Sequence, residues 1–377
     1  MIRKPLYIDI HALQTVPPSN INRDDTGSPK TARFGGVTRA RVSSQAWKKA
    51  MRDEFADLLD TSEIGWRTMR AASLIAEQIE RLAPEIDEEV RQKLAVSALS
   101  GTGVSVKDGN TSYLLFVSPK QVEALAKLAV EAHNADGKID KKAAKAIFDP
   151  KKAPTLNAVD IALFGRMVAD APDLNVDASV QVAHAIGIGS MVPEFDYFTA
   201  MDDLKGADTA GAGMIGTVEF CSATFYRYAT IDVYHLCENL GSARAAKNAI
   251  RAFVKAFMVS MPTGKQNTFA NRTLPSAAII QVRDSQPVSL ANAFEAPVNA
   301  HDRKSQIEVA CERLIEQEEM LENAFGVAPM ATYVISAAPG TELLSKFGQD
   351  ATLEEAVVGL ESQVEEYLAA CGFDSES

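Results

Sequence analysis

The sequence predicts an α+β fold, on three observations. Strand-like and helix-like patterns alternate at the start of the chain and again from residue 217 onward. Between them, from about 62 to 180, nearly everything reads as helix joined by polar turns. Finally, 377 residues at 46% apolar and 23% charged are enough to bury large cores in two or three domains.

The elements follow in order. "LYIDIHAL" at 6–13 alternates, Leu6, Ile8 and Ile10 on one face and Tyr7, Asp9 and His11 on the other, as a half-covered strand would. After a loop rich in Pro, Asn, Asp and Gly, Ser43 or Ser44 is a good N-cap for a helix over 45–59. Its apolar face is Trp47, Met51, Phe55 and Leu58; Gln45, Lys48, Lys49 and Arg52 fall opposite. The insertion carries "AASLIAEQIERL", "SPKQVEALAKLAVEAHN" and "DKKAAKAIF", all helical patterns. The stretch 191–216 is poor in periodicity and rich in Gly, Asp and Ala, a loop or hairpin of a length that is usually functional. Then come a strand near 217–231, helix 243–260, strand 277–283, helix 305–324, strand 331–337 and helix 353–370. Joined across the insertion, these elements make a ferredoxin-like or RRM-like sheet the natural candidate.

Composition excludes several classes. The chain starts with a short charged stretch and no apolar leader, and runs such as "LLFV" at 114–117 are too short to span a bilayer, so a cytoplasmic protein without membrane contact is expected. Cys221, Cys237, Cys311 and Cys371 have no CxxC spacing, which suggests neither zinc nor a disulfide framework.

One local feature opposes the overall net charge of -12: "KTARFGGVTRARVSSQAWKKAMR", residues 30–52, holds seven basic residues and no acidic one. Lys30, Arg33, Arg39 and Arg41 lie on the loop, Gly35 and Gly36 would let a ligand approach the backbone, and the following helix start presents free N–H groups. Lys48 and Arg52, one turn apart, extend a positive line suited to a phosphate backbone, against the plainer reading of a solvated basic face. A second group, Lys138, Lys141, Lys142 and Lys145, reads by itself as a solvated helix face.

Other motifs fall away or stay open. "GAGMIG" at 211–216 matches G-x-G-x-x-G, but a strand-like "TVEFCSATFYRY" follows where a helix is required. "TGKQNT" at 263–268 lacks the first Gly and the hydroxyl residue of a phosphate loop, though Lys265, Gln266 and Asn267 could still hold a phosphate or a base edge. The pairs Asp24/Asp25 and Asp202/Asp203 read as turn formers or caps. The five histidines are dispersed, His11 being of most interest because it should share a sheet face beside the basic loop. No nucleophile stands at a telling distance from a base, so neither catalysis nor a cofactor or metal is expected.

Together, 20–52 ("NINRDDTGSPKTARFGGVTRARVSSQAWKKAMR"), 159–167 ("VDIALFGRM"), 198–204 ("FTAMDDL"), 225–232 ("FYRYATID") and 291–295 ("ANAFE") resemble the CasC family, backbone subunits of the type I-E CRISPR complex Cascade. The resemblance runs in order along essentially the whole chain. It implies a hand-like molecule: an RRM-like palm from 1–60 and 183–377, helical fingers over 61–182, and a thumb at about 191–216. It further implies a non-catalytic subunit that binds guide RNA (crRNA), presents it to target DNA, and stacks head to tail in about six copies beside small, large, guide-processing and guide-capping subunits. Matched to the family pattern, Arg23, Lys30, Ser43, Gln45, Lys48 and Arg52 would hold the RNA backbone, with Lys265 and Gln266 a weaker correspondence. Arg39, Arg41 and Lys49 join them from the basic stretch. Met167 and Phe198 would be the apolar wedge where a neighbouring copy kinks the guide, and Lys141, Lys142 and Lys145, with Lys138, would face the DNA duplex.

Two other readings compete. One is an RNA-cleaving endoribonuclease on the same scaffold, using Asp24 or His11; the other is an acidic structural protein whose basic loop docks on a protein partner.

Overall fold

The computed structural model describes residues 5–135, 137–200, 214–299 and 304–373. The first strand, β1 (Tyr7–Ser19), leads through a loop to a hairpin, β2 (Thr31–Phe34) and β3 (Val37–Val42), and then to α1 (Ser44–Leu58). The strand alternates as expected, but both of its faces are covered. Ile8, Ile10 and Ala12 enter the core under the helices, while Asp9, His11 and Leu13 are buried on the other side.

The insertion opens with β4 (Trp66–Thr68), followed by α2 (Ala71–Leu82), α3 (Glu88–Gly101), the short strands β5 (Val106–Lys107), β6 (Asn110–Thr111) and β7 (Leu115–Val117), α4 (Pro119–Asn134) and α5 (Lys141–Phe148). α2 to α5 bury a core of their own around Ile75, Ile79, Leu99, Leu125 and Phe148. Ser118 and Gln121 form a reciprocal capping box at the start of α4, satisfying two otherwise free N–H groups. β4 pairs with β7, placing Arg67 opposite Phe116. The chain returns through α6 (Val159–Phe164), which packs into the sheet-side core.

The return half contains β8 (Val180–Val182), β9 (Ala185–Gly187), β10 (Glu194–Ala200) and β11 (Met214–Asp232), then α7 (Val233–Leu240), α8 (Ala243–Val259), a single turn α9 (Gln266–Phe269) and β12 (Ala277–Arg283). The chain ends with α10 (Gln306–Phe325), β13 (Ala331–Ser336), β14 (Gln349–Asp350) and α11 (Leu353–Ala370). The main sheet runs β14-β13-β12-β1-β11-β9-β3-β2. β1 is antiparallel to both β11 and β12, and β8 and β9 pair antiparallel with β11 on its other side. With α1 after β1 and α8 between β11 and β12, this is a βαββαβ connection wound round a central β1.

Helices α1, α8 and α11 cover one face, with Trp47, Phe55, Phe253, Phe257 and Leu360 in its core. The other face is covered by α10 and the 288–298 loop, through Cys311, Leu314, Leu290 and Phe294. An ion-pair network lies buried on that face: Arg283 donates to Asp9 (3.1 Å) and Glu318 (2.5 Å), and Tyr228 donates to Asp9 (3.0 Å). Among the described residues, no helix is long and apolar enough to cross a membrane.

Candidate nucleic-acid interface

The basic loop is largely a hairpin. Gly35 (φ +57) and Gly36 (φ +80) occupy the two turn positions, the pattern of a tight turn in which both central residues need positive φ. A Cβ on Gly35 would fall 1.6 Å from the Glu295 carbonyl oxygen, so the turn is pressed against the 291–295 loop. Both glycines therefore serve the turn, and Gly35 also a close packing contact that leaves no room for a ligand there, whereas Gly36 faces open space.

Arg39 corrects the sequence reading most clearly. It is 0% exposed, and its guanidinium donates to five backbone carbonyls, those of Phe34, Gly187, Ile188, Phe294 and Glu295. It pins the hairpin to the sheet and to the 291–295 loop, with no donor left for a phosphate. Arg41 is half-exposed, donating to the Thr31 carbonyl (3.0 Å) and to His184 Nδ1 (2.9 Å). Partial burial, with Arg41 and Lys30 close by, holds the His184 pKa below its usual value, which suits its role as acceptor. Lys30 is half-buried and Arg23 exposed, both at the mouth of the loop.

At the start of α1, Ser43 accepts from the Ala46 N–H (3.3 Å), and its own N–H donates to Asn22 Oδ1 (2.8 Å), so Ser43 works as the cap and Gln45 is left exposed. The cations of this helix do not form one solvent-facing line. Lys49 is exposed and paired with Asp53 (2.5 Å) on the same helix. Arg52 corrects the second expectation: it turns under the insertion, donates to Asp160 (2.8 Å) and to the Gly65 carbonyl (3.2 Å), and lies over the Phe116 ring. Its charge is committed to a fully buried carboxylate. Lys48 also turns toward the insertion, its ammonium 5.7 Å from the Phe164 ring centre. Lost hydration, and Arg67 nearby, lower its pKa.

The remaining sites are spread over the molecule. A Cβ on Gly264 would lie 2.3 Å from the Ile21 carbonyl oxygen, so the loop bearing Lys265 and Gln266 packs at the entrance to the basic loop, near Arg23. Met167 is 79% exposed, because Arg166 beside it is buried on the carbonyls of Phe148 and Leu174 and points the opposite way. Phe198, 38% exposed, lies across the β10–β11 hairpin from Gly216, whose missing Cβ leaves room for the ring. Lys138, Lys141 and Lys142 are exposed, while Lys145 pairs with Asp173 (2.5 Å). His11 is buried against Tyr226 (2.8 Å), and burial, reinforced by Arg283, lowers its pKa to about 3, so it is neutral and away from the surface. Asp24 closes its own turn, accepting from Thr26 and Ser28. Asp202, Asp203 and the tip from 201 to 213 lie outside the described residues.

The model of the CT1975-like protein family matches residues 8–358. The chain belongs to that family. A chain from a structure described as "CRISPR RNA-guided surveillance complex, pre-nicking" is similar at 32% identity and a TM-score of 0.81, over 95% of this chain and 100% of the other. A second, from a "CRISPR RNA-guided surveillance complex", is similar at 28% identity and a TM-score of 0.71, over 95% and 99%. The comparison with curated proteins gives no match.

In this CT1975-like protein the structure brings Arg23, Lys30, Arg41, Gln45, Lys48, Lys265 and Gln266 to the hairpin, the helix start and the adjoining loop. Arg39 and Arg52 are withdrawn into the frame. A further cation, Arg67, stands beside Lys48 and Arg52. The only sequence signal for it was a basic residue between Trp66 and Thr68 in a stretch read as helical, which did not reveal the β4–β7 pair that aims it.

Proposed function

We propose that this protein is a non-catalytic guide-RNA-binding backbone subunit of a type I-E CRISPR surveillance complex, acting in antiviral defence. The observation that carries the reading is the likeness of nearly the whole chain, at 32% identity, to a chain of an RNA-guided surveillance complex. The covered sheet adds a physical constraint. RRM-type sheets stack bases on exposed aromatic side chains, but here Tyr226 and Tyr228 lie beneath α10 and the 288–298 loop. RNA is thus directed to the hairpin and helix edge, where cations and N–H groups meet phosphates without reading sequence. A subunit that must accept any guide needs that form of recognition, leaving sequence to guide–target pairing.

In this reading, copies stack head to tail along the guide. Met167 of one copy and the thumb base at Phe198 of its neighbour form the wedge that kinks it, since inserted apolar side chains can split stacked bases. Lys138, Lys141, Lys142 and Lys145 face the target duplex.

The test is reconstitution with guide RNA and partner subunits, followed by nuclease digestion. A regular ladder of protected RNA is expected, lost when Lys30, Arg41 and Lys48 are all replaced by Ala. Unprotected RNA, or metal-dependent cutting at defined positions, would overturn the proposal, the second result in favour of an endoribonuclease.

A further inference from the structure

The joint between α1 and the insertion holds more positive charge than it neutralises. Three cations meet there: Arg52 and Arg67 stand beside one buried carboxylate, Asp160, and Lys48 stands beside Arg67. Asp160 is engaged by Arg52 and by the Gly65 N–H (2.8 Å). Arg52 and Arg67 share one aromatic support, their guanidinium carbons 4.6 and 4.7 Å from the centre of the Phe116 ring. The Arg67 side chain is exposed and makes no hydrogen bond or ion pair among the described residues, although Asp160 lies near enough to offset part of the effect of burial and of Arg52 on its pKa.

Such an arrangement is held against its own electrostatics. An exposed arginine with like charges nearby can relieve the repulsion by swinging into water, yet this one lies along a ring that holds it in place. The backbone beneath it is fixed as well. Arg67 pairs across strands with Phe116, and a Cβ on Gly65, two residues earlier, would meet the Phe116 ring at 2.8 Å. A guanidinium so oriented offers paired N–H groups to an oxyanion, and an oxyanion would offset the excess charge.

We propose that Arg67 binds a phosphate of the guide RNA, carrying the RNA path from Lys48 across the joint onto the base of the insertion. Arg52, Asp160 and Phe116 form its support. The proposal rests on the guide-RNA reading above, and it makes the joint, as well as the hairpin edge, a part of the RNA track.

The test uses the full chain and a fluorescein-labelled single-stranded RNA of mixed sequence, with anisotropy titrations over a range of salt concentrations. Each phosphate contact on a single strand contributes about 0.7 to the slope of log affinity against log salt. Arg67→Gln is therefore expected to make the slope shallower by about 0.7 per bound copy, the change also expected for Lys48→Gln. Arg67→Lys, which keeps the charge but not the fork, should keep the slope and bind more weakly. Wild-type binding with an unchanged slope in Arg67→Gln would overturn the phosphate contact and leave the guide-RNA reading standing. No RNA binding by wild type would overturn both. Should Arg67→Gln melt earlier than wild type, Arg67→Lys decides: a retained slope supports the contact, and a slope lost despite the retained charge marks a structural role and overturns it.

Discussion

Arg52 shows how a single residue can change its reading once its surroundings are known. In the sequence it stands one turn after Lys48 and extends a basic line. In the fold, Asp160, more than a hundred residues later, claims it. Burial raises the Asp160 pKa, an effect that the Arg52 charge and the Gly65 N–H only partly offset. A carboxyl whose folded pKa is raised contributes most stability at low pH and loses it as pH rises through that pKa. Arg52→Ala removes the main opposing charge and raises the pKa further. We expect it to cost about 3 kcal/mol near neutral pH and clearly less near pH 4, where Asp160 can be protonated. Urea denaturation at both pH values checks this; an equal loss at both would contradict it. Such pairings were not legible in the sequence, because the pattern that marks a helix face cannot say which distant carboxylate will cover it. Arg39 is the same case with backbone carbonyls in place of a carboxylate.

At the scale of elements, regular strands and helices were legible and irregular ones were not. The strand at 277–283 and the helix at 353–370 fall where their patterns place them, since each has a long periodic apolar face. The β2–β3 hairpin stands where the sequence pattern predicts a loop, although "FGGV" carries the Gly-Gly signal of a tight hairpin turn, because arginines occupy its strands where apolar residues usually mark a sheet. Its two glycines should differ in a measurable way. Both need positive φ, which costs a side-chain-bearing residue about 1 to 2 kcal/mol. Only Gly35 also faces a carbonyl oxygen, whereas nothing lies within 4 Å of a Cβ on Gly36. Gly36→Ala should thus lower stability by about 1 kcal/mol, and Gly35→Ala by at least twice as much, with the 291–295 loop displaced. Denaturation curves and proton–nitrogen spectra of both variants test it; equal losses would show that the loop gives way freely.

At the scale of the whole molecule, α2 to α5 of the insertion keep a core apart from the sheet, while α6 belongs to the sheet-side core. The core around Leu99, Leu125 and Phe148 is separate from those on the two sheet faces. Between them stand a small cluster of Phe116, Ala158, Ile161 and Val176 and the Arg52–Asp160 pair. The sequence turns from a mixed to a mostly helical pattern near residue 62, where an insertion is expected; the contacts at its base were not legible, since they include two three-residue strands and a buried ion pair between residues far apart in the chain. A molecule so built can open its insertion without unfolding its sheet, because local opening follows the boundaries of packed cores. Leu125→Ala, which removes a fully buried side chain, should cost the insertion about 2 to 5 kcal/mol. Hydrogen exchange should then quicken across 71–148 while amides of 277–283 keep their protection. Equal quickening in both would mean that the joint transmits the full loss and that the two parts fold as one unit. If the insertion does open alone, Arg67 lies where that opening would disturb the proposed RNA track, so bound RNA should restore part of the lost protection in the Leu125→Ala variant and less of it when Arg67→Gln is added.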